Sequence, residues 1–177
     1  LYLLPITHLQ AQPNIPTHDI GSAHVQLSNF EVLELIDHSK TLTIDNVSDM
    51  LLRAKPSQSL FNYADNAATH WLAFNLYNSS QHTVSRIIAL TESHPEVVNL
   101  YYLKQGQWVE LAGGTSIPMS QRAVPHRSAA FTIDIPANQL VTMYLATNST
   151  KHRFIAGIEV LDRTSFEQMS QGETALY

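Results

Sequence analysis

Cysteine is absent from this chain of 177 residues, which removes disulfide frameworks, thiol nucleophiles and thiolate metal sites together. The absence leaves the compartment open, since a chain without thiols suits oxidising and reducing surroundings alike. Charge is also scarce, at 14% Asp, Glu, Lys and Arg, and it leans acidic, with 10 basic against 15 acidic residues and a formal charge of −5. Binding to phosphate backbones needs a basic surface, so the composition argues against nucleic acid as a partner. No run of about 18 apolar residues occurs, and no segment reads as a membrane-spanning helix. Missing too are an HExxH pair, a Gly-x-Ser-x-Gly elbow, a phosphate-cradling Gly-rich loop and a dinucleotide fingerprint, so no cofactor is expected.

What remains is a chain with 44% hydrophobic residues, enough for one domain with a substantial core. Val25 to Ile36 reads as a strand ending in the turn Asp37-His38-Ser39-Lys40, and Leu42 to Ile44 as a short extended piece. Asp45 reads as an N-cap for a helix reaching Arg53, with Val47, Met50 and Leu51 on one face and Pro56 beyond its end. Strand signals then recur at Trp71 to Tyr77, Arg86 to Thr91, Val97 to Leu103, Trp108 to Leu111, Ala129 to Ile135, Val141 to Thr147 and Phe154 to Leu161. Short strands separated by turn residues, with no βαβ rhythm, predict an all-β fold: an antiparallel β-sandwich of jelly-roll type with one short helix. Asp162 to Gln171 lacks strand alternation and reads as a terminal helical turn or two. The expected organisation is an N-terminal segment over 1–24, with Leu1 to Gln12 resembling the tail of a secretory signal, a sandwich over 25–162, and a polar linker over 163–177 toward a transmembrane helix.

Candidate chemistry concentrates between Ser120 and Ile135, where a loop carrying Arg122, His126 and Arg127 runs into a strand of period 2. Loop ends fixed by strand packing are well placed to meet a ligand, although such arginines also serve as braces for loop carbonyls. In that strand Phe131 and Ile133 are expected to face the core and Thr132 and Asp134 to face outward. The nine histidines are scattered, without the local spacing that a zinc site uses. Glu92 and Glu96 flank His94 but have no evident partner for acid–base work. Asp45, Asn46 and Asp49, or Asp65 and Asn66, are candidate calcium ligands, although capping and an Asx-turn explain them more simply. Trp71, Tyr77, Tyr101, Tyr102 and Trp108 sit in strands, and one or two of them are expected to face a ligand rather than the core. Sequons at Asn46, Asn78 and Asn148 are short matches that matter only in a glycosylating host.

In order along the chain stand Leu35-Ile36-Asp37, Leu42-Thr43-Ile44, Trp71-Leu72-Ala73-Phe74 with Asn78, Val97-Val98-Asn99-Leu100-Tyr101, Gly113-Gly114, Ser120-Gln121-Arg122, His126-Arg127, Phe131-Thr132-Ile133 and Met143-Tyr144-Leu145. This succession, from about Phe30 to Leu161, resembles the type-2 extracellular domain of bacterial seven-transmembrane receptors with diverse intracellular signalling modules. The resemblance implies a carbohydrate-binding-module-like jelly roll in the periplasm, ahead of the receptor's own transmembrane helices and of histidine-kinase or diguanylate-cyclase modules. It implies a non-enzymatic sensor whose ligand, a small carbohydrate-like or other polar molecule, meets Arg122, Arg127, His126, Trp71 and Tyr101, with no metal and with the signal leaving through Ser165 to Tyr177. Relatives commonly carry arginine where this chain has Ala73 and Ala146, which implies a less basic pocket if those arginines line it, or another bracing pair if they hold the sandwich. Two other readings stay open: a protein-interaction module that forms a homodimer without a small ligand, and a glycan-active jelly-roll enzyme with two carboxylates across one cleft.

Overall fold

Two nine-residue strands, Thr69–Tyr77 and Leu140–Asn148, run antiparallel at the centre of the seven-stranded sheet, the largest of three among the described residues. The computed structural model describes residues 15–21, 24–27, 31–57, 62–63, 68–91, 95–149, 154–155 and 157–174. Within these the strands are β1 (Thr17–Asp19), β2 (His24–Leu27), β3 (Leu33–Asp37), β4 (Lys55–Pro56), β5 (Asn62–Tyr63), β6 (Thr69–Tyr77), β7 (Val84–Thr91), β8 (Val97–Lys104), β9 (Gln107–Gly113), β10 (Ala130–Ile135), β11 (Leu140–Asn148), β12 (Phe154–Ile155) and β13 (Gly157–Leu161). The helices are α1 (Ile44–Leu51) and α2 (Arg163–Thr174). The large sheet has the order β4-β3-β6-β11-β8-β9, with β1 added in parallel to the far half of β6, and the small sheet has the order β10-β7-β13-β2. The protein is thus a mostly antiparallel all-β sandwich.

Alternation along the strands sorts the apolar residues into three layers. Leu72, Phe74, Leu76, Ile88, Leu90, Leu100, Phe131, Ile133, Met143 and Leu145 fill the space between the sheets. The opposite face of the large sheet carries Leu33, Trp71, Ala73, Tyr144 and Ala146, packed with Val47 and Leu51 of α1. The opposite face of the small sheet carries Ile87, Ala89, Ala130 and Leu161, packed with Phe166 of α2. In β10, Phe131, Ile133 and Ile135 are buried while Thr132 and Asp134 are exposed, as the period-2 pattern predicts.

Two sequence expectations need correction. Val25 to Ile36 is two strands in different sheets, β2 pairing with β13 and β3 with β6. Val32 and Leu33 are adjacent and both buried, Val32 between the sheets and Leu33 beneath α1, which hides the alternation of β3. A single half-buried strand cannot bury neighbours on both faces of one sheet without a second layer. The cap of α1 is Thr43 rather than Asp45: the Thr43 carbonyl accepts from Val47 N at 2.9 Å, and Thr43 N donates to Asn46 Oδ1 at 2.8 Å. The helical turn or two expected over Asp162 to Gln171 is the 12-residue α2, whose Phe166 closes the outer face of the small sheet. Leu1 to Gln12, Asp65, Asn66, Glu92, His94 and Ala175 to Tyr177 lie outside the described residues.

The connection from β3 to α1 is held from below by Asp37. This buried carboxylate accepts Ser39 Oγ at 2.6 Å, Lys40 N at 2.9 Å and Leu42 N at 3.0 Å, while Lys40 takes a φ of 56°. Burial alone would raise the Asp37 pKa, but donation from Ser39, Leu42 and Lys40 outweighs it and holds the carboxyl below its ordinary value. A depressed folded-state pKa gives stability that is present above the unfolded carboxylate pKa and lost as pH falls through the folded one. Asp37→Ala is therefore expected to cost about 2 kcal/mol at neutral pH, with the gap from the wild type closing as urea midpoints are taken down through the carboxylate range.

Candidate functional site

Strand register builds a site on the α1 side of the large sheet. Leu35 pairs with Trp71, Trp71 with Ala146, and Ala146 with Asn99, so these residues form one cross-strand row. The next row runs Leu33, Ala73, Tyr144, Tyr101 and Glu110. Trp71 and Tyr101 stand diagonally across Ala146, whose methyl group leaves the space above it open, and their rings stack with centroids 5.7 Å apart at 27°. Trp108 meets the Tyr144 ring edge-on at 5.6 Å farther along the same face.

Above these rows lies a cavity of about 530 Å³. Trp71, Ala146 and Tyr101 form its floor, Leu42, Thr43 and Ile44 one wall, and Asn99, Glu96, Glu110 and Asn148 are among its polar lining. The wall is the segment that Asp37 shapes, so the buried carboxylate acts on the cavity through the backbone of Leu42. Burial raises the Tyr101 pKa, and the neighbouring Glu110 raises it further, against an opposing donation from Asn99. The phenol therefore stays protonated and donates to Glu110 Oε1 at 3.0 Å while accepting from Asn99 Nδ2 at 3.2 Å. The indole Nε1 of Trp71 is buried with no hydrogen-bond partner among the described residues. An aromatic floor with amides, hydroxyls and carboxylates around it can stack a flat ring or a sugar face and exchange hydrogen bonds with hydroxyl groups.

The five residues singled out in the sequence divide between two places. Trp71 and Tyr101 come together in the cavity, whereas Arg122, His126 and Arg127 lie on the long connection between β9 and β10, which packs with Val124 against the α2 side of the small sheet. Arg122 is half-buried and donates Nε to the Ile117 carbonyl at 2.9 Å and Nη1 to the His126 and Arg127 carbonyls at 2.6 and 3.0 Å. It is a brace that draws the two ends of its loop together. His126 accepts Ser128 N on Nδ1 at 3.1 Å and sets its ring against Phe166 of α2, 5.0 Å away at 64°. The Arg127 side chain is exposed. At its other end this connection is hydrogen-bonded to the cavity rim: Thr115 N donates to the Pro95 carbonyl at 3.0 Å and Ser116 N to the Glu96 carbonyl at 2.9 Å. Gly114 makes that approach with a φ of 98°, and a Cβ there would stand 2.5 Å from the Glu96 oxygen.

Sequence reasoning missed Asn99, Glu110 and Asn148 as lining residues. The available signal was alternation, since Asn99 shares the face of Tyr101 on β8, but the contact with Trp71 passes through β11, which comes later in the chain. Among the described residues no three His, Asp or Glu side chains are grouped as metal ligands, and Asn46 spends Oδ1 on the backbone of Thr43.

A sandwich with a rimmed aromatic cavity on one outer face has the construction of a binding module. The chain belongs to the 7TMR-DISM extracellular 2 family, whose model matches residues 28–159. It is accordingly an extracytoplasmic sensor domain of a membrane receptor, in a family of non-catalytic input domains. No helix among the described residues is long and apolar enough to cross a membrane. No curated protein matches the chain.

Proposed function

We propose that this domain is the periplasmic ligand-sensing input of a receptor of the histidine-kinase or diguanylate-cyclase type, and that a small carbohydrate-like or other polar ligand binds over Trp71 and Tyr101. The observation that carries this reading is the 530 Å³ cavity with a stacked aromatic pair in its floor. Ala73 and Ala146, on the same face in register with Tyr144 and Trp71, keep that floor low and uncharged. The signal leaves through contiguous contacts: the Glu96 carbonyl to Ser116, Arg122 to Ile117 and His126, and the His126 ring to Phe166. A ligand drives such a change only by binding one state of the rim better than the other.

A calorimetric screen of neutral sugars, amino sugars, sugar acids and divalent metals tests the reading. A binder should be found whose affinity falls at least about tenfold in Trp71→Ala, since stacking on an aromatic ring contributes around 1–3 kcal/mol in comparable binding sites. Binding that is unchanged in Trp71→Ala would move the site elsewhere. The glycan-active enzyme is the second reading, because Glu96 and Glu110 line one cavity. Glu110 is exposed and accepts the Tyr101 hydroxyl, a solvated position for a residue that would have to work as a hydrolytic acid. Release of nitrophenol from aryl glycosides, lost in Glu110→Gln, would favour that reading.

A further inference from the structure

We infer that one end of the sandwich holds a second binding site, for a free amino acid with a large apolar side chain, whose body enters between the sheets while its ammonium and carboxylate stay at the rim. The cavity there has a volume of about 310 Å³ and shares no lining residue with the one over Trp71. It lies where β8 ends, β11 begins and β10 ends. Alternation builds its walls: Val141 and Met143 of β11 and Ile133 and Ile135 of β10 face the space between the sheets, and Tyr102 follows Leu100 on the matching face of β8. Ile133, Ile135 and Met143 are buried, so the inner part is apolar. Small-molecule sites occupy roughly 300–1,000 Å³, and a cavity at the lower end of that range suits one small molecule.

The rim carries charge of both signs. Lys104 falls on the same face of β8 as Tyr102, and Asp134 stands on β10, the edge strand of the small sheet. Neither side chain forms an ion pair among the described residues. Burial, and then the field of the Asp134 carboxylate, raise the Tyr102 pKa, so the phenol keeps its proton at neutral pH and can donate. An ammonium group meets Asp134 in this arrangement, and a carboxylate meets Lys104 and the Tyr102 hydroxyl. Thr83, Gln105 and Gln139 complete the rim with groups that donate or accept. A carboxylate alone would bring its charge near Asp134, and an amine alone would bring its charge near Lys104. A zwitterion answers both, and its apolar side chain covers Val141, which the fold leaves only half-buried.

Leucine, alanine, hexanoate and hexylamine separate the parts of this ligand: alanine lacks the apolar body, and hexanoate and hexylamine each lack one charge. Titrations of the full chain at low salt, read from the methyl resonances of Ile133 and Met143, are expected to show saturable shifts with leucine. Its affinity should be at least about tenfold tighter than that of alanine and at least about threefold tighter than that of hexanoate or hexylamine. Lys104→Gln and Asp134→Asn, both at exposed positions, should each weaken leucine binding by about threefold or more while leaving the unfolding midpoint in place, and Trp71→Ala should leave leucine binding unchanged. Methyl resonances that leucine does not move would overturn the site. Leucine binding no tighter than that of the two singly charged probes, or unchanged by either rim substitution, would overturn the ligand class and the inference with it. Shifts that disappear in Trp71→Ala would place the amino acid in the other cavity and overturn it as well.

Discussion

Phe131→Ala is expected to lower unfolding stability by roughly 3–5 kcal/mol, the range for emptying a large aromatic site in a packed core. Phe131 is fully buried between the sheets, paired in register with Ile88 of β7. Its ring lies against Gly113 at the end of β9, where a Cβ would approach the ring tip to 3.0 Å. The ring thus occupies space that β9 leaves free, and neither sheet can close over the hole without moving its partner. Thr132→Ala, one residue along on the exposed face, is expected to change stability by no more than about 0.5 kcal/mol. Urea midpoints for the two variants check the register directly. A loss below about 1 kcal/mol for Phe131→Ala would mean that its face is not the one packed between the sheets.

That face was legible because β10 is short, strictly alternating and bounded by polar loops, so one local pattern fixes which residues point inward. The same logic found the strands from β6 to β11 to within a few residues. It failed where burial comes from both sides. Ala130 belongs to the face that alternation assigns to solvent, yet α2 covers it through Phe166. Val32 and Leu33 are buried in different layers and blur the period that would have separated β2 from β3. The candidate site was legible only in part for a related reason. Alternation places Trp71 and Tyr101 on a face of their own strands, but a sandwich has two outer faces, and strand order decides which one. Trp71 meets Tyr101 because β11 lies between β6 and β8 with Ala146 as the low point between the rings. The Arg122 loop reads as a ligand loop because polar residues precede a strand. Backbone carbonyls carry no sequence signal, and they are what Arg122 binds.

Arg122→Ala is for this reason expected to act first on stability, by about 2–3 kcal/mol, since charge-assisted bonds to three carbonyls are lost together. The effect should be local in a way that a core cavity is not. Without the brace, the segment from Ile117 to Arg127 loosens, His126 loses its fixed position against Phe166, and amides of α2 should exchange faster with solvent in hydrogen–deuterium measurements. Arg122→Lys should rescue little, because a single ammonium cannot reproduce a planar fork that serves Ile117 from Nε and His126 and Arg127 from Nη1. Arg127→Ala keeps the carbonyl that Arg122 uses and should cost less. If the domain signals through this loop, Arg122→Ala should also leave ligand affinity at the Trp71 cavity nearly intact while uncoupling α2 from it, so that added ligand no longer alters α2 exchange. Unchanged stability and unchanged α2 exchange, together with weakened ligand binding, would instead return Arg122 to the role of a ligand contact, and the guanidinium would then have to leave its carbonyls when ligand arrives.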